Sequence, residues 1–156
     1  MAVPADLLLA RLRCFLLVLS GLLMAGTVGE LIFIEHVKEP TQWIPFGLCG
    51  LGMIGVGAVL VRPRRPILLA LRASMSVVVI GSAFGGYEHV TGNLAFHREI
   101  HPNSTWWKTL RATLGGPSPL LAPGVLALAA VLAIAATYHH SALAKPPQQV
   151  MFESAG

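Results

Sequence analysis

Four apolar runs, each near the length a helix needs to cross a bilayer, constrain this chain more than any other feature. They cover roughly residues 7–34, 43–61, 67–87 and 120–138. A hydrocarbon core takes about 20 mostly apolar residues in helical form. None of the runs alternates apolar and polar residues with a period of two, so strands fit poorly. Composition agrees: 54% of residues are hydrophobic and 12% are charged, where about 25% charged is usual. A soluble domain of this size needs a polar shell that this chain cannot supply. The expected fold is all-α, a four-transmembrane-helix bundle forming one membrane domain over residues 1–140. A flexible tail is expected over 141–156.

The connections between the runs differ in kind. HVKEPTQ at 36–42 is short and polar, and RPRRP at 62–66 is a tight basic turn whose prolines end one helix and start the next. The third connection, residues 90–119, is longer. Within it NSTWWKTLRATLGG reads as a helix capped by Asn103 or Ser104 and stopped by Gly115 and Gly116. Trp107, Leu110 and Leu114 share one face of that helix, with Lys108 and Arg111 on another. A short amphipathic helix of this kind suits the membrane interface, lying flat between the third and fourth spans.

Charge placement sets the expected orientation. Arg11, Arg13, Arg62, Arg64, Arg65, Arg72 and Lys145 fall at one end of the runs, and Lys38, Arg98, Lys108 and Arg111 at the other. The first group is the larger, which assigns both termini to the cytoplasm of a bacterial inner membrane. The net charge of +4 is spread in short clusters between apolar runs, and no basic stretch interleaved with aromatics is present to grip nucleic acid. Arg11 and Arg13 before CFLLVLSGLLMAG resemble a signal-peptide start, but no small-residue cleavage site follows and the apolar run continues. Cys14 and Cys49 lie inside apolar runs, outside any CxxC pair, and read as small buried hydrophobes.

Glycine and alanine spacing suggests how helices would meet. Gly21, Ala25 and Gly29 form a small-xxx-small stripe; Gly81 and Gly85 repeat the spacing, and the second run carries Gly47, Gly50, Gly52, Gly55 and Gly57. These residues offer faces either for internal packing or for a partner chain, including a second copy. EHV occurs at 35–37 and again at 88–90, a three-residue match that falls within chance.

The chemistry-bearing residues gather at the end opposite the arginine cluster. Glu30, Glu35, Glu39, Glu88 and Glu99 lie there, with His36, His89, His97 and His101. Glu30 sits before the helix exit by about 7 Å of helical rise. A carboxylate at that depth is costly facing lipid, so it is expected to face the bundle or a watery pocket, or to be protonated. Glu30 and Glu35 are about 140° apart on a helix, so a site needs groups from several segments. The candidate ligand-binding residues are Glu30, Glu35, His36, Glu88 and His89. The candidate metal set is His97, Glu99 and His101 from HREIH at 97–101. As a helix this segment aligns its two imidazoles at i, i+4; extended, it aligns all three groups. Zinc, copper or iron would suit such donors. The motif is not the zinc-protease HExxH, whose glutamate follows the first histidine directly.

Helix ends at a membrane surface are also commonly decorated with His, Glu, Tyr and Trp that do nothing beyond meeting water. Asn103-Ser104-Thr105 matches the glycosylation sequon, relevant only in a eukaryotic secretory route, and His139-His140 reads as a chance pair. No phosphate-binding loop, dinucleotide fingerprint or nucleophile–base set is present, so a non-enzymatic role is expected. Two function classes follow. One is a small multi-pass membrane protein with a Glu/His site for a metal or polar ligand at its non-cytoplasmic face. The other is an accessory or assembly subunit of a larger membrane complex.

Overall fold

The computed structural model describes residues 4–35, 37–118 and 120–143. Five α-helices account for most of them: α1 (Ala5–Phe33), α2 (Ile44–Val61), α3 (Arg65–Ile100), α4 (Trp106–Leu114) and α5 (Leu121–Ala135). Short 3₁₀ turns at Pro40–Trp43 and Ser141–Leu143 precede α2 and follow α5. No strand occurs among the described residues. Three segments are long and apolar enough to cross a membrane: Ala5–Phe33, Pro40–Val61 and Arg65–Ile100. The expected fourth span corresponds to α5, a shorter apolar helix of 15 residues.

Prolines punctuate the helices as chain chemistry requires. Pro45 and Pro66 fall in the first turns of α2 and α3, where the missing amide has no helical partner anyway. From Ile67 to His101 there is no proline. Accordingly α3 does not stop where its apolar stretch ends near Tyr87 but runs 36 residues, about 54 Å at 1.5 Å per residue. It ends at Ile100 because His101 precedes Pro102 and adopts a non-helical φ of −131°. The expected loop from residue 90 is therefore helix for its first eleven positions.

Four helices pack in a ring, α1 on α2, α2 on α3, α3 on α5 and α5 on α1. The loops α1–α2 and α2–α3 reverse the chain, and the C-terminal end of α5 meets Arg13 and Arg72 near the starts of α1 and α3. Thus α1 and α3 run one way and α2 and α5 the other. The core between them holds Met24, Leu68, Leu71, Met75, Val78 and Leu126, with Ala129, Ala130 and Ala133 letting α5 approach closely. Large apolar side chains cover the outside as well: Ile54 is 74% exposed and Ile80 is 70% exposed. That inside-and-outside greasiness is the mark of a surface solvated by lipid.

The glycines divide between contact and open surface. A Cβ on Gly52 would collide with the Met24 side chain, and one on Gly81 with Leu48. Gly21 faces Val56, whereas Gly29 has open space and Ala25 is exposed. The Gly21–Ala25–Gly29 stripe therefore does not act as one internal seam; successive members point around the helix away from α2.

Helix α4 folds back along the last turns of α3. Its N-cap is Thr105, not Asn103 or Ser104, and its C-cap is Gly115. Ser104 is occupied elsewhere, 2.9 Å from His97 Nε2 and 2.6 Å from Thr109 Oγ1. Thr113 is buried against α3, while Trp106 and Trp107 remain 71% and 67% exposed. Of the tail expected from residue 141, Ala142 and Leu143 pack against the core, and the residues beyond lie outside the described part.

Candidate functional site

A cavity of about 620 Å³ opens among the C-terminal end of α1, the N-terminal ends of α2 and α5 and the middle of α3, opposite the arginine-bearing end. Three walls come from the ends of α1, α2 and α5, and the fourth from the middle of α3. Helix α2 enters through Pro45, and the segment before α5 enters through Pro117 and Ser118. On α3 the wall runs from Gly81 through Ser82 and Gly85 to Glu88 and His89. Leu31 and Ile34 of α1 stand across from it. The absence of side chains at Gly81 and Gly85 removes bulk on the α3 wall, and Leu48 occupies the space beside Gly81.

Of the expected ligand-binding residues, two come together here. Glu88 and His89 both line the cavity, the carboxylate exposed at its rim and the imidazole half-buried. Glu30 does not join them. The buried stripe of α1 passes through Ser20, Met24, Thr27 and Leu31, and Glu30 lies about 100° around the helix from Leu31. It is exposed on the outer surface, so of the three expected placements, bundle interior, watery pocket or protonated state, the first does not hold. Glu35 sits past the helix end with φ of 51° and pairs with Lys38 Nζ at 3.7 Å, both side chains exposed. Exposed pairs of this kind stabilise little. His36 lies outside the described residues.

The expected metal set gains no support from the geometry. His97 to Ile100 are helical and His101 is the C-cap, and the two imidazoles approach with ring centroids 5.2 Å apart. Helical spacing turns Glu99 about 200° from His97, and Glu99 is exposed. His97 instead joins a hydroxyl chain through Ser104 to Thr109, linking α3 to α4. Among the described residues no three His, Cys, Asp or Glu side chains gather to hold a metal ion.

Several polar residues that hold the scaffold were not legible as such. Asn93 is 2% exposed and bridges α3 to the chain after α4. Its Nδ2 donates to the carbonyls of Thr113 at 3.0 Å and Ser118 at 2.9 Å, and its Oδ1 accepts from Ser118 N at 3.0 Å. This latch sets Pro117 and Ser118 against the cavity. Gly116 must be glycine there, since a Cβ would lie 2.5 Å from Asn93 Cγ. At the other end, Arg72 Nε donates to Thr137 Oγ1 at 2.7 Å, and Arg13 Nη2 donates to the carbonyls of Tyr138 and His139 at 3.2 and 2.5 Å. Arg72 Nη2 also donates to the Thr137 carbonyl at 3.2 Å, so the two cations tie down the turns that follow α5. The only advance signal was chemical: an asparagine and two arginines in or beside apolar runs need partners.

In comparisons with known proteins, no family model, no curated protein and no solved structure matches this chain. The class stated here therefore rests on physical grounds alone: an all-helical protein with three membrane-span-like helices.

Proposed function

We propose that this is a multi-pass integral membrane protein crossing the bilayer four times, with a ligand site at its non-cytoplasmic end. The cavity bordered by Glu88 and His89 is the observation that carries the reading. The short α5 is compatible with four crossings because the charge-free slab is thin. Arg13 to Glu30 on α1 and Arg72 to Glu88 on α3 each mark off a rise of about 24–26 Å. The 15 residues of α5 rise about 22 Å and the turns at its end add to that. Arginines at one boundary and carboxylates at the other then bracket a common layer. Glu30 is exposed because it lies near that layer's edge, where a carboxylate reaches headgroups and water. On this reading α3 projects about 18 Å beyond Glu88, and α4 stands beside it instead of lying flat on the membrane. The Lys/Arg excess assigns the arginine end to the cytoplasm, as in a bacterial inner membrane.

Topology is tested by labelling single cysteines in a background lacking Cys14 and Cys49. Cysteines at 38 and 98 should react with an impermeant maleimide from outside intact cells, and one at 64 only after permeabilisation. Labels at 38 and 98 on opposite faces would end the four-span reading. The site is tested with N-phenylnaphthylamine, a neutral probe that brightens in apolar surroundings. Binding to the purified chain should disappear in Ala122→Phe, which fills the cavity; unchanged binding would remove the site.

A second reading is favoured by one observation. Glu30 shares the outward face of α1 with exposed Gly26 and with Leu22, 65% exposed. A small residue beside a carboxylate on a lipid-facing surface suits a partner helix, as in an accessory or assembly subunit or a homo-oligomer. Purification in mild detergent as a lone monomer would count against it.

A further inference from the structure

We propose that the cavity selects cationic amphiphiles, holding the positive headgroup at Glu88 and the apolar body between α1, α2, α3 and α5. The inference rests on the cavity being a ligand site and adds the class of ligand. Depth comes first. From Gly81 to His89 the α3 wall rises about 12 Å, enough to take the apolar part of a guest below a headgroup at the rim. The chemistry of the deep wall comes second. Thr27 and Ser82 line it, but each hydroxyl donates to its own helix, Thr27 Oγ1 to Leu23 O at 3.0 Å and Ser82 Oγ to Val78 O at 2.8 Å. With those protons committed, neither hydroxyl is left to donate to a guest, and the side chains around them, Leu31, Leu48, Phe84 and Leu126, are apolar.

Charge decides the sign. Among the described residues that line the cavity, Glu88 is the one acid, and there is no Lys or Arg. Lys38 of the α1–α2 loop is not part of the lining and lies 3.7 Å from Glu35. A carboxylate beside low-dielectric protein and lipid acts on a neighbouring charge more strongly than one in bulk water. The Glu88 carboxylate attracts a cation to the rim and repels an anion there. The rim also lies at the boundary level defined by Glu30 and Glu88, where the headgroup of a membrane-borne amphiphile resides.

The test uses two ions of similar size and shape and opposite charge, tetraphenylphosphonium and tetraphenylborate, titrated into the full chain in nonionic detergent. The cation should bind at least tenfold more tightly than the anion. Glu88→Gln should erase that preference, Glu88→Lys should reverse it, and Glu88→Asp should keep it. Ala122→Phe should abolish binding of both ions. Because Glu88 is exposed, its variants should elute and melt like the parent. Equal affinities for the two ions, or a cation affinity unmoved by Glu88→Gln, would overturn charge selection. If N-phenylnaphthylamine still binds in those cases, the cavity stands and only the ligand class falls. If neither ion nor the neutral probe binds, both fall together.

Discussion

Asn93 shows how much a single buried polar side chain can organise here. It satisfies the Thr113 carbonyl near the end of α4 and the carbonyl and amide of Ser118 in the segment that leads into α5. Asn93→Leu would strand those groups, and a buried unsatisfied polar group costs about 1–3 kcal/mol. The expected outcome is a lower melting temperature in detergent together with weaker N-phenylnaphthylamine binding, because Ser118 borders the cavity. Gly116→Ala should act in the same direction, since its Cβ would meet both Asn93 and the Ala112 carbonyl at 2.8 Å. His140 supplies a pH dependence. Burial first, and then the Arg13 cation, hold its imidazole below the ordinary value of 6.5. Its neutral Nδ1 accepts from the Ala142 amide at 3.2 Å. The folded state therefore resists a proton that the unfolded chain accepts. This contribution is fully present above the ordinary histidine value and is lost as pH falls below it. Melts from pH 8 to pH 5 should show a decline that His140→Gln flattens.

At the scale of elements, α3 and α5 matter most. Hydropathy ends a span near Tyr87, yet the backbone continues, because a membrane boundary is set by side-chain polarity and a helix boundary by backbone chemistry. Gly85, Gly86 and Gly92 each weaken a helix by about 1 kcal/mol relative to alanine, but none removes an amide as proline does. Spin labels at positions 83 and 98 should therefore report a narrow distance near 22 Å; a broad or much shorter distribution would mean a break. For α5, the arginine clamp ties down the turns that follow the helix. Arg72 also lies over the Tyr138 ring, 5.5 Å from its centroid. Hydrogen bonds to charged groups contribute about 1.5–3 kcal/mol, so Arg72→Met should destabilise by that order, read as loss of monodisperse protein on heating. Arg13 and Arg72 were legible as orientation charges, but their carbonyl partners lie more than sixty positions away in the chain and no local pattern announces them.

The whole molecule is read best through its charge-free thickness. A slab of about 24–26 Å is thinner than the ~30 Å core of an average bilayer. Mismatch costs fractions of a kcal/mol per Å, so thermal stability should be highest in nanodiscs of short-chain lipid and fall as acyl chains lengthen. A flat response would remove the thin-slab account of α5.

Lipid as solvent, helix as the only regular element and one charge-bearing end opposed to another were determined by the sequence itself. Each follows from side-chain type counted along the chain, and transfer free energy is close to additive in such counts. Which acids and imidazoles share a site was decided only by tertiary structure. Glu88 and His89 reach the cavity while Glu30 turns outward, and His97 lies 2.9 Å from the Ser104 hydroxyl. Those outcomes depend on helix rotation and on how far α3 extends, and both arise from packing between segments distant in the chain.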